Sequence, residues 1–263
     1  MSGNNNVLLE VKGLSKRFGG VVAIDDFQAS VNHHHLVGII GPNGAGKTTI
    51  LNLLSGIYRC DSGNILFAGK DIVNLPTFEV GRLGIARTFQ NIRLFEDMSV
   101  LDNVRSAYSW RAQYGLFKAM VGWRGVSSFE RKIIDQSLFW LNQVGLAAYR
   151  ETKAGSLPYG LQRRVEIARA LAGEPQLLLL DEPAAGLNPA EVRDLIDLIH
   201  RLYNDLKLSI ILIEHRMEVV MELCQWIYVQ NFGSTIGQGS PVQIQSDPVV
   251  INAYLGEEFT CSR

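Results

Sequence analysis

Gly41-Pro42-Asn43-Gly44-Ala45-Gly46-Lys47-Thr48 lies between an apolar run, Leu36-Val37-Gly38-Ile39-Ile40, and a stretch from Thr48 to Leu54 whose apolar residues recur at helical spacing. The octapeptide fits G-x-x-x-x-G-K-[ST], a pattern that surrounds nucleotide phosphates with backbone N–H donors. The flanks predict a buried parallel strand before the loop and a helix after it. Strand, glycine loop and helix follow in the order that a phosphate cradle needs.

The chemistry of a polyphosphate explains the spelling. Successive N–H groups must approach charged oxygens closely, and Gly41, Gly44 and Gly46 allow backbone shapes and approaches that a Cβ would obstruct. With Pro42, Asn43, Ala45 and Thr49 they make the expected binding segment, and the helix start adds its positive dipole end. Lys47 is expected to reach the β and γ phosphates, and Thr48 to offer its hydroxyl to Mg²⁺. The expected ligand is ATP or GTP.

Further along, Gln176-Leu177-Leu178-Leu179-Leu180-Asp181-Glu182-Pro183 is an apolar run closed by two carboxylates. A fully buried parallel strand has this form where its C-terminal end opens on a site. Asp181 is expected to hold the Mg²⁺ shell, and Glu182 to orient or deprotonate the water that attacks the γ phosphate.

Composition sets bounds around these segments. With 263 residues and 47% hydrophobic content the chain can bury a sizeable core, and a formal charge of −1 gives no general pull toward nucleic acid, so no nucleic-acid partner is expected. No apolar run approaches the roughly eighteen residues of a membrane span, and the polar start from Met1 to Asn6 lacks the form of a signal peptide, so the chain is expected in the cytosol. Cys60, Cys224 and Cys261 have no C-x-x-C spacing and read as reduced thiols. His33-His34-His35 reads as a turn before a strand, because adjacent side chains diverge and no cluster with metal-ligand spacing accompanies them.

Leu157-Pro158-Tyr159-Gly160-Leu161-Gln162-Arg163-Arg164 runs into a helix with apolar residues at 161, 165, 168 and 171 or 172. A glycine-containing loop that opens a helix just before the acid-tipped strand resembles the signature segment of ABC-type ATPases. Other pieces fall in the same order: Phe18, Gln90 in Thr88-Phe89-Gln90-Asn91, the segment from Ala184 to Asn188, and His215 after Leu212-Ile213-Glu214. The resemblance implies that Phe18 stacks on adenine, Gln90 senses Mg²⁺ and the membrane partner, His215 clamps the γ phosphate, and Gly160 serves ATP held by a partner subunit. It also implies an α/β P-loop fold of the ABC type: a RecA-like parallel-sheet core, an antiparallel β segment near residues 7 to 35, and one domain into which a helical subdomain is inserted at about 91–157.

One branch fits most closely. Arg17-Phe18-Gly19-Gly20, Arg87-Thr88-Phe89-Gln90-Asn91 with Arg93-Leu94-Phe95, Asp181 through Pro189, and the tail from Asn231 to Gly256 are similar to the larger ATP-binding subunit of branched-chain amino-acid importers. The aromatic stretch between Ser106 and Tyr149, with Trp110, Tyr114, Phe117, Trp123, Phe129 and Trp140, suits the enlarged helical part of such subunits. The resemblance implies a second ABC ATPase subunit, in a hetero- or homodimer, with integral membrane permease subunits and, indirectly, an extracytoplasmic solute-binding protein. It puts the chain at the cytoplasmic face of the membrane. Urea, amides or another small solute are the alternative cargo, and a weakly hydrolysing regulatory module is the alternative role.

The signature departs from its family pattern. Pro158 stands where serine is expected and Leu161 where glutamine is expected. Proline offers no side-chain donor and no N–H, so one or two contacts to the partner's ATP should be missing, although proline suits a first helical turn.

Overall fold

The computed structural model describes residues 6–108 and 123–258. In chain order its strands are β1 (Val7–Phe18), β2 (Val21–Asn32), β3 (Leu36–Ile40), β4 (Ser62–Phe67), β5 (Lys70–Asp71), β6 (Ile85–Arg87), β7 (Leu177–Asp181), β8 (Ser209–Ile213), β9 (Trp226–Asn231) and β10 (Ser234–Gly239). The helices are α1 (Lys47–Leu54), α2 (Thr77–Leu83), α3 (Val100–Arg105), α4 (Trp123–Gln143), α5 (Tyr159–Leu171), α6 (Pro189–Leu206), α7 (Met217–Leu223), α8 (Pro241–Gln245) and α9 (Pro248–Glu258).

Strands β3, β7 and β8 are buried at every position, as continuous apolar runs require of a sheet covered on both faces. The central sheet runs β10-β9-β3-β8-β7-β6, parallel except for the antiparallel edge strand β10. Strand alternation divides its side chains between two cores. Leu36, Ile40, Leu178, Leu180, Ile210 and Leu212 face the core shared with α3 to α7, while Val37, Ile39, Leu177, Leu179, Ile211 and Ile213 face α1 and the antiparallel sheet.

The antiparallel sheet, ordered β2-β1-β4-β5, extends the segment expected near residues 7 to 35. Its outer strands β4 and β5 were not anticipated, because they are short, largely exposed on their first residues, and opened by Ser62-Gly63-Asn64. Between 91 and 157, α3 and α4 pack Val100, Val104, Trp140, Leu141 and Val144 into the first core, and the Trp140 indole donates to the Tyr108 hydroxyl at 2.9 Å. Trp110, Tyr114 and Phe117 lie outside the described residues, as do the side chains of Trp123 and Phe129 and all of Cys261. Among the described residues no helix is long and apolar enough to cross a membrane.

Candidate active site

The parallel strands β3, β6, β7 and β8 end on one side of the sheet, so the segments that follow them meet there: the glycine loop, Gln90, Glu182 and His215. Strand β8 lies between β3 and β7, which sets His215 between the loop and the acidic tip.

At the glycine loop, backbone crowding decides the residue type. A Cβ on Gly41 would stand 1.9 Å from the Gln230 carbonyl oxygen, and one on Gly46 would stand 2.4 Å from that of Ala23. Both have positive φ, 146° and 98°, which excludes L side chains a second time. Pro42 and Ala45 are buried, Asn43 and Gly44 are exposed, and Gly46 caps α1. Lys47 is 5% exposed and its ammonium donates to the carbonyls of Gly41 and Pro42, each at 2.7 Å, so the charge is held within the loop itself. Thr49 is half-buried on the first turn of α1.

The residues expected to serve hydrolysis converge on one carboxylate. Glu182 accepts from Gln90 Nε2 at 2.7 Å on one oxygen and faces His215 Nε2 at 2.5 Å on the other. Glu182 has φ +47°, a left-handed conformation rare for a side chain with a Cβ, and its N–H is tied to the Ile213 carbonyl at 2.9 Å.

Thr48, Gln90 and Asp181, the expected Mg²⁺ group, line one cavity together with Asn52, Arg87 and Phe89. Asp181 is 1% exposed; Arg87 Nη2 binds its Oδ2 at 2.8 Å, while its Oδ1 is buried with no hydrogen-bond partner among the described residues. Burial pushes the Asp181 carboxyl up and the Arg87 guanidinium opposes it. An orphaned carboxylate oxygen beside a hydroxyl and an amide is a donor set that fits a hard cation carrying phosphate oxygens and water.

Phe18 ends β1, 43% exposed, with Tyr58 packed edge-on at 5.2 Å. The Lys16 ammonium lies over the Phe18 ring, 5.5 Å from the centroid. Gly160 lies apart from the other site residues, in the first turn of α5, where a Cβ would meet the Glu191 carboxylate at 3.0 Å. The neighbouring Tyr159 ring rests against Gly186, whose Cβ would lie 3.2 Å from it. The histidine triplet forms the turn before β3: His34, at φ +53°, stacks on Tyr203 with centroids 4.2 Å apart.

Several polar residues that hold the site were missed from sequence. Arg87 links Asp181 to Asn52 of α1 and to Ser55, which caps the C-terminal end of α1, at 2.7 and 3.0 Å. Glu214, 2% exposed, accepts from the backbone N–H of Ala184 at 2.6 Å and of His215 at 3.1 Å, pinning the loops after β7 and β8 to each other. Burial raises its carboxyl against those donors. Position at the end of an apolar strand, the signal that exposed Asp181 and Glu182, was available for Glu214 too.

Residues 24–185 match the family model for ABC transporters, and residues 234–260 match that for branched-chain amino acid ATP-binding cassette transporters. The high-affinity branched-chain amino acid transport ATP-binding protein LivG of Escherichia coli is 42% identical over 95% of this chain and 98% of its own length. BraF of Pseudomonas aeruginosa, described in the same words, is also 42% identical over 95% and 98%. The ADP conformation of MJ1267, an ATP-binding cassette of an ABC transporter, superposes with a TM-score of 0.82 at 30% identity over 95% of this chain and 99% of that one.

Proposed function

This chain belongs to the ABC transporter family of ATP-binding subunits, and from that premise we propose that it is the ATPase of an importer for branched-chain amino acids. ATP binding and hydrolysis are the family's activity; the cargo, the partners and the residue roles are the proposal. The match of residues 234–260 to the branched-chain amino acid branch supports the cargo and carries the assignment.

In this reading the chain forms one domain with a helical subdomain at about 91–157. It works at the cytoplasmic face of the membrane with a second ATPase subunit, a pair of permease subunits and an extracytoplasmic binding protein. The loop from Gly41 to Thr49 holds the triphosphate, Phe18 the adenine, and Thr48, Asp181 and Gln90 hold Mg²⁺. When bound, Mg²⁺ neutralises charge on the phosphates. Glu182 takes the proton of the attacking water, Gln90 and His215 keep the carboxylate aimed, and His215 donates toward the γ phosphate once ATP displaces it from Glu182. Gly160 and the start of α5 face the partner's ATP, which accounts for their place away from Glu182.

Purifying the tagged chain from detergent-solubilised membranes tests the reading. A membrane pair and a second ATPase should copurify, and vesicles of the complex should take up leucine, isoleucine or valine only with ATP and an intact Glu182. Uptake of urea or amides in place of these amino acids would overturn the cargo assignment.

A further inference from the structure

Arg163 is the largest fully buried side chain among the described residues, and its partner Glu166, one turn along α5, is 2% exposed; the two meet at 2.6 Å. They hold the backbone just before and at Gln90. Glu166 Oε1 accepts the Phe89 N–H at 3.2 Å, Arg163 Nη1 donates to the Phe89 carbonyl at 2.6 Å, and Nη2 donates to the Gln90 carbonyl at 2.7 Å. Nη2 also donates to the Tyr159 hydroxyl at 3.2 Å.

We infer that Arg163 and Glu166 are positioning residues for Gln90, fastening residues 89 and 90 to α5 so that Gln90 moves with the helix that carries Tyr159 and Gly160 rather than with the sheet. One residue earlier the allegiance is different. The Thr88 N–H donates to the Leu179 carbonyl of β7 at 2.9 Å, and the Thr88 hydroxyl accepts the Asp181 N–H at 3.3 Å. The chain therefore passes from sheet to helix between Thr88 and Phe89, and the Gln90 amide reaches back across that junction to Glu182.

Charge-assisted bonds in a dry site are strong, and losing any one leaves a buried charge or carbonyl unpaired, so the fastening is stiff. A guanidinium fork is suited to gripping two successive carbonyls, which a lysine ammonium does poorly. A shift of Gln90 relative to Glu182 must then be shared with the first turn of α5. The inference rests on the hydrolytic role proposed for Gln90 and Glu182.

The test replaces both partners, Arg163→Met with Glu166→Leu, so that neither charge is left buried alone. Melting temperature, ATP affinity and turnover of the full chain are compared with those of Gln90→Ala and of the three changes combined. The double variant should melt below the parent, because the Phe89 N–H and the Phe89 and Gln90 carbonyls lose their partners, yet bind ATP like the parent and turn over up to about 10²-fold more slowly, on the scale of a misplaced positioning group. In the Gln90→Ala background it should cost nothing further. Arg163→Lys, which keeps the charge balance, takes the same tests should the double variant not fold, and should lose turnover without losing ATP affinity. Parental turnover, multiplying losses in the combined variant, or ATP affinity falling in step with turnover would each overturn the inference. A parent chain that neither binds nor hydrolyses ATP overturns the functional reading, and the inference with it.

Discussion

Glu182 and His215 stand 2.5 Å apart, Oε1 to Nε2, although they follow different strands. The contact joins the tips of neighbouring β7 and β8. Gln90 holds the other oxygen, so both oxygens of the carboxylate are engaged by protein groups.

Glu182→Gln keeps size but removes the base, together with one of the two acceptor oxygens. Hydrolysis should fall by about 10²- to 10⁴-fold, the usual contribution of general-base catalysis, while ATP affinity is kept and the ATP-bound dimer persists. Single-turnover hydrolysis beside equilibrium nucleotide binding checks both halves. Near-normal hydrolysis would remove Glu182 from the mechanism.

Much of the site was legible because it is built from segments with strong local grammar. Leu36 to Ile40 and Leu177 to Asp181 announce buried strands, and Gly41 and Gly46 are spelled by contacts that admit no Cβ. Arg163 and Glu166 were illegible because a charged residue in a helix reads as solvated until its partners are known, and theirs include the backbone of Phe89, distant in sequence. Arg87 was illegible because its partner Asp181 is likewise distant in sequence. The short strands β4 and β5 escaped because pairing, of β4 with β1 and of β5 with β4, defines them more than their own residues do.

His35 offers a pH test of packing. Its Nδ1 is buried with no hydrogen-bond partner among the described residues, and burial holds its pKa below the ordinary imidazole value. Between the lowered folded value and the unfolded one the unfolded chain binds more protons, so this residue makes stability rise with pH across that window and fall on acidification through it. His35→Leu should therefore lose less melting temperature than the parent between about pH 7.5 and about pH 5.5, the range an imidazole spans. Equal losses in both proteins would show that His35 does not sense the proton.

In a heterodimer the irregular signature predicts two unequal ATP sites; in a homodimer both sites carry the defect. Pro158 caps α5 without a side-chain bond, and Leu161 is half-buried against the core. Gln162, the nearest amide, is turned back to the Leu157 carbonyl at 2.9 Å. Neither irregular position presents a polar side chain to a partner's triphosphate. Pro158→Ser restores a hydroxyl and a helix cap, worth about 1 kcal/mol, and Leu161→Gln gives up a comparable amount of apolar packing, so the melting temperature should stay close to that of the parent. With Glu182→Gln silencing this chain's own site, remaining turnover in the assembled pair reports the partner's site alone. The two substitutions should raise it by up to about tenfold, below the full effect of an oxyanion donor because the helix start and Gly160 already contribute. Unchanged turnover under those conditions would mean that the helix terminus suffices and that proline is a neutral variant at this position.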